Sequence, residues 1–240
     1  MRAYSDTVSE LNDRRSRKKA QTRESVRRAA HRLFAEHGFD AVTIADVARD
    51  ADVAVQTVFN HFATKEDLFF DGRTPWVAGP AEAVRHRAPS VSPLNALRGY
   101  LVDLVETRIG SLAEQARRQF IDLIEASDAL RAHERELVVE CERELTKALL
   151  EAWDGHGPQI MGELETAARL IAAIWTSTAR VLIIGHRPQV TAGADPASTA
   201  DALRCLGDRI FRQLEAAFGF LGDGAEQSDT GWPRVALRAG

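Results

Sequence analysis

Apolar residues recur at intervals of three and four positions along most of the chain, which is the spacing of amphipathic helices. Val26, Ala30, Leu33 and Phe34 form one such stripe and predict a first helix over about 22–37. No stretch keeps the alternation of apolar and polar residues that a half-buried strand requires. The pattern therefore predicts an all-α fold, with later helices near 94–110, 112–126, 128–153, 162–185 and 199–221.

Local sequences set the ends of the short helices near the N-terminus. Gly38 ends the first helix in the left-handed conformation, and Phe39 folds back on its last turn. Thr43 and Asp46 form a capping-box pair that begins a second helix, and Thr64 begins another. This region is therefore predicted to hold several short helices joined by tight turns.

A cluster of glycine and proline marks a boundary after these helices. Gly72, Pro75, Gly79 and Pro80 interrupt the helical pattern, so we expect two domains to join there. The prediction divides the chain into a flexible basic arm over 1–20, a helical unit over 21–71, a larger helical domain over 72–221 and a flexible tail over 222–240 that contains Trp232.

The stretch TIADVARDADVAVQTVFNHF predicts two short helices joined by a turn at Asp52. Aspartate tolerates the positive φ that such a turn needs, and Ala48 is small enough for close helix contact. Val53 and Val58 are expected to face the core. The outward side then carries Gln56, Thr57, Asn60 and His61. Such a row of hydrogen-bonding side chains suits the major groove of DNA, although any small helical bundle with a polar face would show it.

Charge is distributed unevenly along the chain. The segment from Arg14 to Arg32 holds nine basic residues and one acid, a net charge of +8, whereas the whole chain carries −4. A basic N-terminus on an acidic body is typical of a chain whose one end binds a polyanion. A solvated basic tail with no partner is the alternative explanation.

The run TIADVARDADVAVQTVFNHFATKEDLF resembles the N-terminal DNA-binding signature of the TetR-type (TetR/AcrR) transcriptional regulators, and the likeness covers Arg23 to about Phe70. The matching positions are Phe34, Gly38, Phe39, Thr43, Ile44, Ala48, Val53, Thr57, His61, Phe62, Lys65 and Leu68. The resemblance implies a homodimer whose subunits have an N-terminal DNA-reading domain and a C-terminal domain with a dimer interface and a ligand pocket. Most members repress transcription and leave DNA when a small molecule binds.

The same resemblance, together with the pattern of the second short helix, gives a predicted DNA-binding set. Thr43 and Lys65 are expected at phosphates. The full set is Arg17, Thr43, Val55, Gln56, Thr57, Phe59, Asn60, His61 and Lys65.

Three positions depart from the family pattern. Asp52 stands where the family has a turn glycine, Ala54 replaces the serine that caps the recognition helix, and Phe59 replaces a tyrosine. These changes bear on individual DNA contacts more than on the fold. The basic arm could compensate for them by lying along phosphates or entering a minor groove.

Two apolar helices in the C-terminal half are the predicted dimer interface. The stretch AARLIAAIWTSTARVLIIG is apolar almost all round, and a helix over 199–221 has one apolar stripe. Two such helices from each of two subunits would form a four-helix bundle, or they form the core of one subunit. The predicted interface residues are Ile171, Trp175, Leu182, Leu203, Leu206, Ile210 and Leu214.

A pocket for a small apolar or amphipathic effector is expected among the helices of the C-terminal domain. The candidate lining residues are Arg118, Gln119, Trp153, Trp175 and Arg180. Arg180 interrupts an apolar helix and so needs a partner. An internal salt bridge to Asp122 or Glu125 is the simpler explanation for it.

Several classes of protein have no support in the sequence. Cys141 and Cys205 lie far apart and outside any C-x-x-C arrangement, which indicates ordinary thiols in a reducing cytosol. No catalytic, phosphate-binding or metal-binding motif occurs, so no enzyme activity, cofactor or metal is predicted. Charged and polar residues interrupt the most apolar stretch, which argues against a membrane span and for a soluble cytoplasmic protein.

The sequence therefore predicts a homodimeric, sequence-specific DNA-binding transcriptional regulator, most simply a repressor that a small-molecule effector releases from its operator. One alternative is an activator or a DNA-binding protein without an effector. An alternative from another class is a helical small-molecule-binding protein or enzyme that has lost DNA binding.

Overall fold

The computed structural model describes residues 2–154, 157 and 163–223, and side chains between Arg14 and Phe218 within those ranges. These residues form eleven α-helices and one 3-10 helix and no β-strand, so the all-α prediction is confirmed. The elements are α1 (Arg2–His37), α2 (Ile44–Asp50), α3 (Val55–Phe59), α4 (Lys65–Phe70), α5 (Pro75–Arg85), α6 (Pro93–Gly110), the 3-10 helix Ser111–Ala113, α7 (Gln115–Ala126), α8 (Asp128–Trp153), α9 (Leu164–Ile183), α10 (Arg187–Thr191) and α11 (Pro196–Asp223).

Helices α1 to α4 form the N-terminal unit around one small core. Phe34 of α1 packs against Phe39 and Phe69, with ring centroids 5.2 and 5.8 Å apart. Val47 and Val58 are fully buried beside them. Gly38 has φ +85° and its amide donates to the carbonyl of Phe34, so the predicted end of α1 is confirmed.

The structure corrects the predicted flexible arm. Helix α1 starts at Arg2, about twenty residues before the predicted start. The chain has no glycine or proline before Gly38, and it is rich in residues that favour helix. Residues 14–21 are exposed, so this extension needs no apolar stripe and periodicity gave no sign of it.

The structure also places a helix where glycine and proline predicted a break. Pro75 is at the first turn of α5, where its missing N–H costs nothing, while Pro80 lies inside the helix. Pro80 leaves the carbonyl of Trp76 without a helical partner, and the Cys141 thiol donates to that carbonyl at 3.7 Å. Gly79 lies directly against Tyr100, and a Cβ there would overlap the phenol. Both residues therefore serve packing between helices.

The larger domain is built around α6 and α9. Helix α6 packs against α5, α9 and α11, and α8 packs against α5 and α9. Trp175 of α9 is buried, and its indole N–H donates to the carbonyl of Leu97 at 3.1 Å. The last helix extends to Asp223; the predicted tail beyond it, with Trp232, lies outside the described residues.

The two units share a continuous apolar core. Phe69 of α4 stacks on Phe120 of α7 with centroids 5.0 Å apart, and Phe70 stacks on His133 of α8. The Ser127 hydroxyl donates to the carboxylate of Asp40 at 2.9 Å. The end of α4 is thus held by both units, which connects the N-terminal helices to the domain behind them.

One helical stretch, Leu164–Thr191, has the length and mean hydropathy (1.5) of a membrane span, but half of its most apolar window is buried against the protein. A core helix of a soluble protein meets the same criteria. That burial agrees with the alternative given for this stretch, in which it forms part of the core of one subunit.

Candidate nucleic-acid interface and ligand cavity

The turn between α2 and α3 has the conformation that the sequence predicts. Asp52 has φ +53°, and the amide of Val53 donates to the carbonyl of Ala48 at 2.9 Å. Ala48 is buried at the helix contact, and Val53 and Val58 pack into the core. The core side of α3 is therefore held in place by packing. The left-handed conformation of Asp52 sets the orientation of α3 relative to α2.

The outward face of α3 carries both polar and apolar side chains. Gln56 and Asn60 are exposed, and the Gln56 amide donates to the side-chain oxygen of Asn60 at 3.3 Å. Val55 and Phe59 lie on the same short helix and are 42% and 46% exposed. Thr57 and His61, also in the predicted set, are only partly exposed. The face offers donors and acceptors for base edges and apolar groups for thymine methyls.

The caps of these helices follow the predicted pattern. The Thr43 hydroxyl accepts from the amide of Asp46, and the Asp46 carboxylate accepts from the amide and hydroxyl of Thr43. Those two hydrogen bonds from Thr43 hold the pKa of Asp46 below its ordinary value. Thr64 and Asp67 repeat the arrangement at α4. Ala54 at the start of α3 makes no side-chain cap, as its methyl group requires.

Lys65 has a structural contact that the sequence did not predict. Its ammonium group donates to the carbonyls of Phe39 and Val42 at 3.0 and 3.1 Å and lies 4.1 Å above the centroid of the Phe39 ring. Lys65 thus closes the turn between α1 and α2. Two of its three ammonium N–H groups are occupied by these carbonyls, so only the third is available for the predicted contact with phosphate.

Arg23 contacts the residues that follow α3, a role that the sequence did not predict. Its guanidinium donates to the carbonyl of His61 at 2.7 Å and to Asp71 at 2.5 Å, and it lies 4.3 Å from the centroid of Phe62. Burial, followed by the charges of Lys19 and Arg23, lowers the pKa of His61. The influence of Lys19 indicates that the exposed basic end of α1 lies near the end of α3.

The comparisons with known proteins agree with this geometry. Residues 26–71 match the family model described as bacterial regulatory proteins, tetR family. The N-terminal domain of the chain, over residues 26–71, is therefore of the TetR type. The HTH-type transcriptional regulator TcmR of Streptomyces glaucescens is 31% identical over 85 residues, which are 35% of this chain and 38% of TcmR. The matched segment therefore spans well under half of that relative.

The similarity in fold extends beyond the matched domain. Two crystal structures of NalD, the secondary repressor of the MexAB-OprM multidrug efflux pump in Pseudomonas aeruginosa, are similar to it with TM-scores of 0.50 and 0.51. Each is 20% identical and covers 80% of this chain and 96% of NalD. At that identity the likeness concerns the fold alone.

The chain forms a cavity between its N-terminal unit and the core of the larger domain. The centre of a water molecule can occupy about 50 Å³ of it. The walls come from the junction after α4 and from α5 to α10. They comprise Phe70, Arg73, Trp76, Leu104, Arg108, Arg117, Phe120, Glu134, Val138, Cys141, Trp175, Thr176, Ala179, Arg180, Ile183, Ile184 and Arg187.

Two of the five predicted ligand residues line this cavity, namely Trp175 and Arg180. The other three do not. Arg118 donates to the carbonyls of Leu112 and Ala113 and so closes the turn before α7. Gln119 is exposed, and Trp153 packs at the far end of α8. Helical periodicity could not decide which face of α7 points inward.

A group of arginines, one buried and three partly buried, is the main feature of the cavity that the sequence did not reveal. Arg187 is 6% exposed and pairs with Glu134 through two hydrogen bonds of 2.7 and 2.9 Å. It is not the salt bridge expected between Arg180 and Asp122 or Glu125, which the described residues do not form. Arg180 itself is exposed and has no ion pair within the described part of the chain.

The predicted dimer residues fall into two groups. Four of them lie inside the subunit's own core, so the prediction is corrected for Ile171, Trp175, Leu182 and Leu203. These four face α6, α8 and the α9–α11 contact, because a helix that is apolar all round is covered first by its own domain. Leu206 is exposed, and Ile210 and Leu214 are partly buried. Leu170 and Val181, which were not predicted, are exposed on α9.

Proposed function

We propose that this chain is a transcriptional repressor that binds operator DNA as a homodimer and is released by a small-molecule effector. The face of α3 carries the proposal, because Val53 and Val58 hold the back of the helix in the core while the outward side chains of Gln56, Asn60, Val55 and Phe59 are exposed. The TetR-family domain over 26–71 supports the same function. The proposal includes no resident cofactor and no catalysis, and it assigns the protein to the cytoplasm.

Base and phosphate contacts are assigned to different parts of the domain. Gln56 and Asn60 read base edges, because their amides can form paired hydrogen bonds in the major groove. Arg17 and its basic neighbours on α1 contact phosphates, because they are exposed and follow the axis of a long helix. Thr43 at the start of α2 presents the helix N-terminus to a phosphate.

The dimer surface of the proposal is the outward side of α9 and α11. Leu170 and Val181 are exposed on one stripe of α9, and Leu206 is exposed on α11. The two helices are neighbours, since a Cβ at Gly207 would lie 3.2 Å from Cδ1 of Leu182. Four such helices, two from each subunit, would bury these residues in an isologous interface.

Release by an effector is proposed to act through the end of α4. Phe70 and Arg73 line the cavity, and Phe70 is the last residue of helix α4 in the N-terminal unit. A ligand that displaces either side chain would tilt α4 against α7 and α8. The spacing between the two α3 helices of a dimer would then no longer fit successive major grooves.

Selection of duplexes from a random library, followed by gel retardation, tests the proposal. We expect one enriched sequence whose binding falls steeply with salt. Gln56→Ala or Asn60→Ala should change the preferred bases and cost about 1–3 kcal/mol on the original site. Arg17→Ala should weaken all duplexes alike and reduce the salt slope by about one.

Arg135→Ala is the matched control, because Arg135 is exposed on α8, outside the N-terminal unit. It should leave both affinity and sequence preference unchanged. Absence of any enriched sequence at low ionic strength would contradict the proposed function. A uniform loss in the Gln56 and Asn60 variants would contradict the division between base and phosphate contacts.

A further inference from the structure

The cavity carries an excess of positive charge. Arg73, Arg108, Arg117 and Arg187 line it from four separate elements, with Arg180 at its edge. Glu134 is the single carboxylate in the described lining. An internal space with four guanidinium groups and one acid is unusual, because buried charges in proteins are normally paired.

Glu134 is already fully used by one of these arginines. Both of its oxygens accept from Arg187, and Glu125 lies 3.9 Å from the same guanidinium. Arg73, Arg108 and Arg117 form no ion pair with any residue that the structure describes. The Nε of Arg117 is buried and has no hydrogen-bond partner there. Three guanidinium groups therefore line the cavity without an ion pair to any described residue, and Glu134 is the one nearby carboxylate.

Their burial is unfavourable in the unliganded protein. Desolvation lowers the pKa of Arg73 and of Arg117 to about 10, and it also lowers the pKa of Arg108. All three groups remain charged at neutral pH, so their partial burial carries a desolvation penalty. The Phe120 ring offsets part of it, since the guanidinium carbons of Arg73 and Arg117 lie 4.6 and 4.9 Å from its centroid.

The rest of the lining is apolar and aromatic. Trp76, Trp175 and Ile183 stand among the aliphatic and aromatic walls, and Thr176 is already bonded to its own helix and to Glu142. The centre of one bound water molecule needs about 10–15 Å³ of such space. The space of about 50 Å³ therefore holds about four waters, which corresponds to one small ring or short chain with a polar head.

We propose that the effector is a small amphipathic organic anion. Its carboxylate, or a group of similar geometry, binds the guanidinium groups of Arg73, Arg108 and Arg117, and its apolar body packs against the tryptophans. Guanidinium forks bind carboxylates through paired hydrogen bonds. The regulatory part of this inference rests on the proposed function, whereas binding of the anion does not.

Binding of the anion to Arg73 would affect the N-terminal unit, because Arg73 also contacts the aromatic residues between α4 and α7. Arg73 follows α4 directly, and its guanidinium lies over the rings of both Phe69 and Phe120. An anion that draws Arg73 into the cavity removes it from the aromatic contact between α4 and α7. The effector would then loosen the contact that holds α4 against the larger domain.

Thermal unfolding of the full-length chain with matched acid and amide pairs tests the inference. The probes are benzoate and benzamide, hexanoate and hexanamide, and naphthalene-2-carboxylate and its amide. Each pair has one shape and differs in charge. We expect at least one acid at saturating concentration to raise Tm by about 5 °C, and its amide to raise Tm by less than about 1 °C. Inorganic phosphate at equal ionic strength should give no comparable shift.

Two variants test the residues. Arg117→Met and Arg108→Met should weaken binding of the effective acid at least about tenfold, because each removes one fork. Neither should lower the Tm of the unliganded protein, because each removes a buried charge that has no partner. Arg117→Lys should retain part of the shift, and Arg135→Met, on the exposed side of α8, should retain all of it.

Three outcomes would overturn the inference. The first is that no acid exceeds its amide, and the second is that phosphate alone gives the full shift. The third is a fall in the unliganded Tm of both methionine variants, which would mean that these charges already have partners. Gel retardation of the selected duplex is measured separately. If an acid binds but the protein retains no duplex, only the proposed function is contradicted. If the amides release the protein from the duplex and the acids do not, only this inference is contradicted.

Discussion

At the scale of single residues, Asp52 sets the angle between α2 and α3. Its φ of +53° is a conformation that side chains with a Cβ rarely adopt. It also places a carboxylate beside the surface proposed to meet DNA. Backbone strain and charge are therefore combined in one residue, and substitutions can separate them.

Asp52→Gly should raise the free energy of unfolding by about 0.5–1 kcal/mol, because glycine adopts positive φ without the Cβ penalty. Asp52→Ala should lower it by a similar amount, since alanine lacks the local hydrogen bonds that help aspartate in this region. Urea unfolding followed by circular dichroism measures both changes.

Asp52→Asn is the control that isolates charge. It keeps the tolerance for positive φ, so unfolding should change little, while affinity for duplex DNA should rise because a negative charge is removed. If Asp52→Gly were less stable than Asp52→Ala, the left-handed conformation of this turn would be contradicted.

Residue roles were predictable from sequence only where they are local. The caps at Thr43 and Thr64 and the turn at Asp52 involve neighbours within four positions, so the pattern alone identifies them. Arg23 and Lys65 bind groups more than twenty positions away. Long-range partners of that kind leave no periodic trace, and both contacts were missed.

At the scale of helices, α5 shows how tertiary contact overrides local preference. Glycine and proline predicted a break, yet Gly79 permits close approach of Tyr100 and Pro80 leaves a carbonyl that Cys141 satisfies. Burial raises the pKa of that thiol to about 12, so it acts as a neutral donor. The helix forms because its neighbours provide what its own sequence lacks.

Gly79→Ala should destabilise the protein by about 1–3 kcal/mol, because the new methyl group overlaps the phenol of Tyr100 and forces it to move. The measurement is the midpoint of urea unfolding. Gly99→Ala in α6 is the matched control, since nothing lies within 4 Å of a Cβ there. It should stabilise the protein by about 0.5–1 kcal/mol through helix propensity. Equal effects of the two substitutions would contradict the close packing of α5 on α6.

At the scale of the whole molecule, the cavity and the proposed dimer surface are formed only when the helices of the larger domain pack together. The three unpaired arginines come from positions 73, 108 and 117, on different elements, and only the packed domain brings them together. Apolar stripes could not say which residues of α9 and α11 face inward. That depends on the packing of α6 against both helices and of α8 against α9, which periodicity does not record.

Val181→Glu and Leu206→Glu should each weaken self-association by about 100-fold or more, because each buries two like charges near a twofold axis. Sedimentation velocity measures the change. Val139→Glu is the control, as Val139 is 67% exposed on α8 and lies outside the proposed interface. A monomeric wild-type protein, or an equal effect of Val139→Glu, would contradict the assignment.

The unbroken helix α1 has a mechanical consequence. From Val26, where the helix enters the core, to Arg14 there are twelve residues, or about 18 Å of rigid rod. A rotation of the N-terminal unit by about ten degrees would sweep the tip of that rod through about 3 Å, roughly the length of one hydrogen bond. In the proposed function, a small tilt at the base of α1 would therefore be enough to separate its basic end from the phosphates that it contacts.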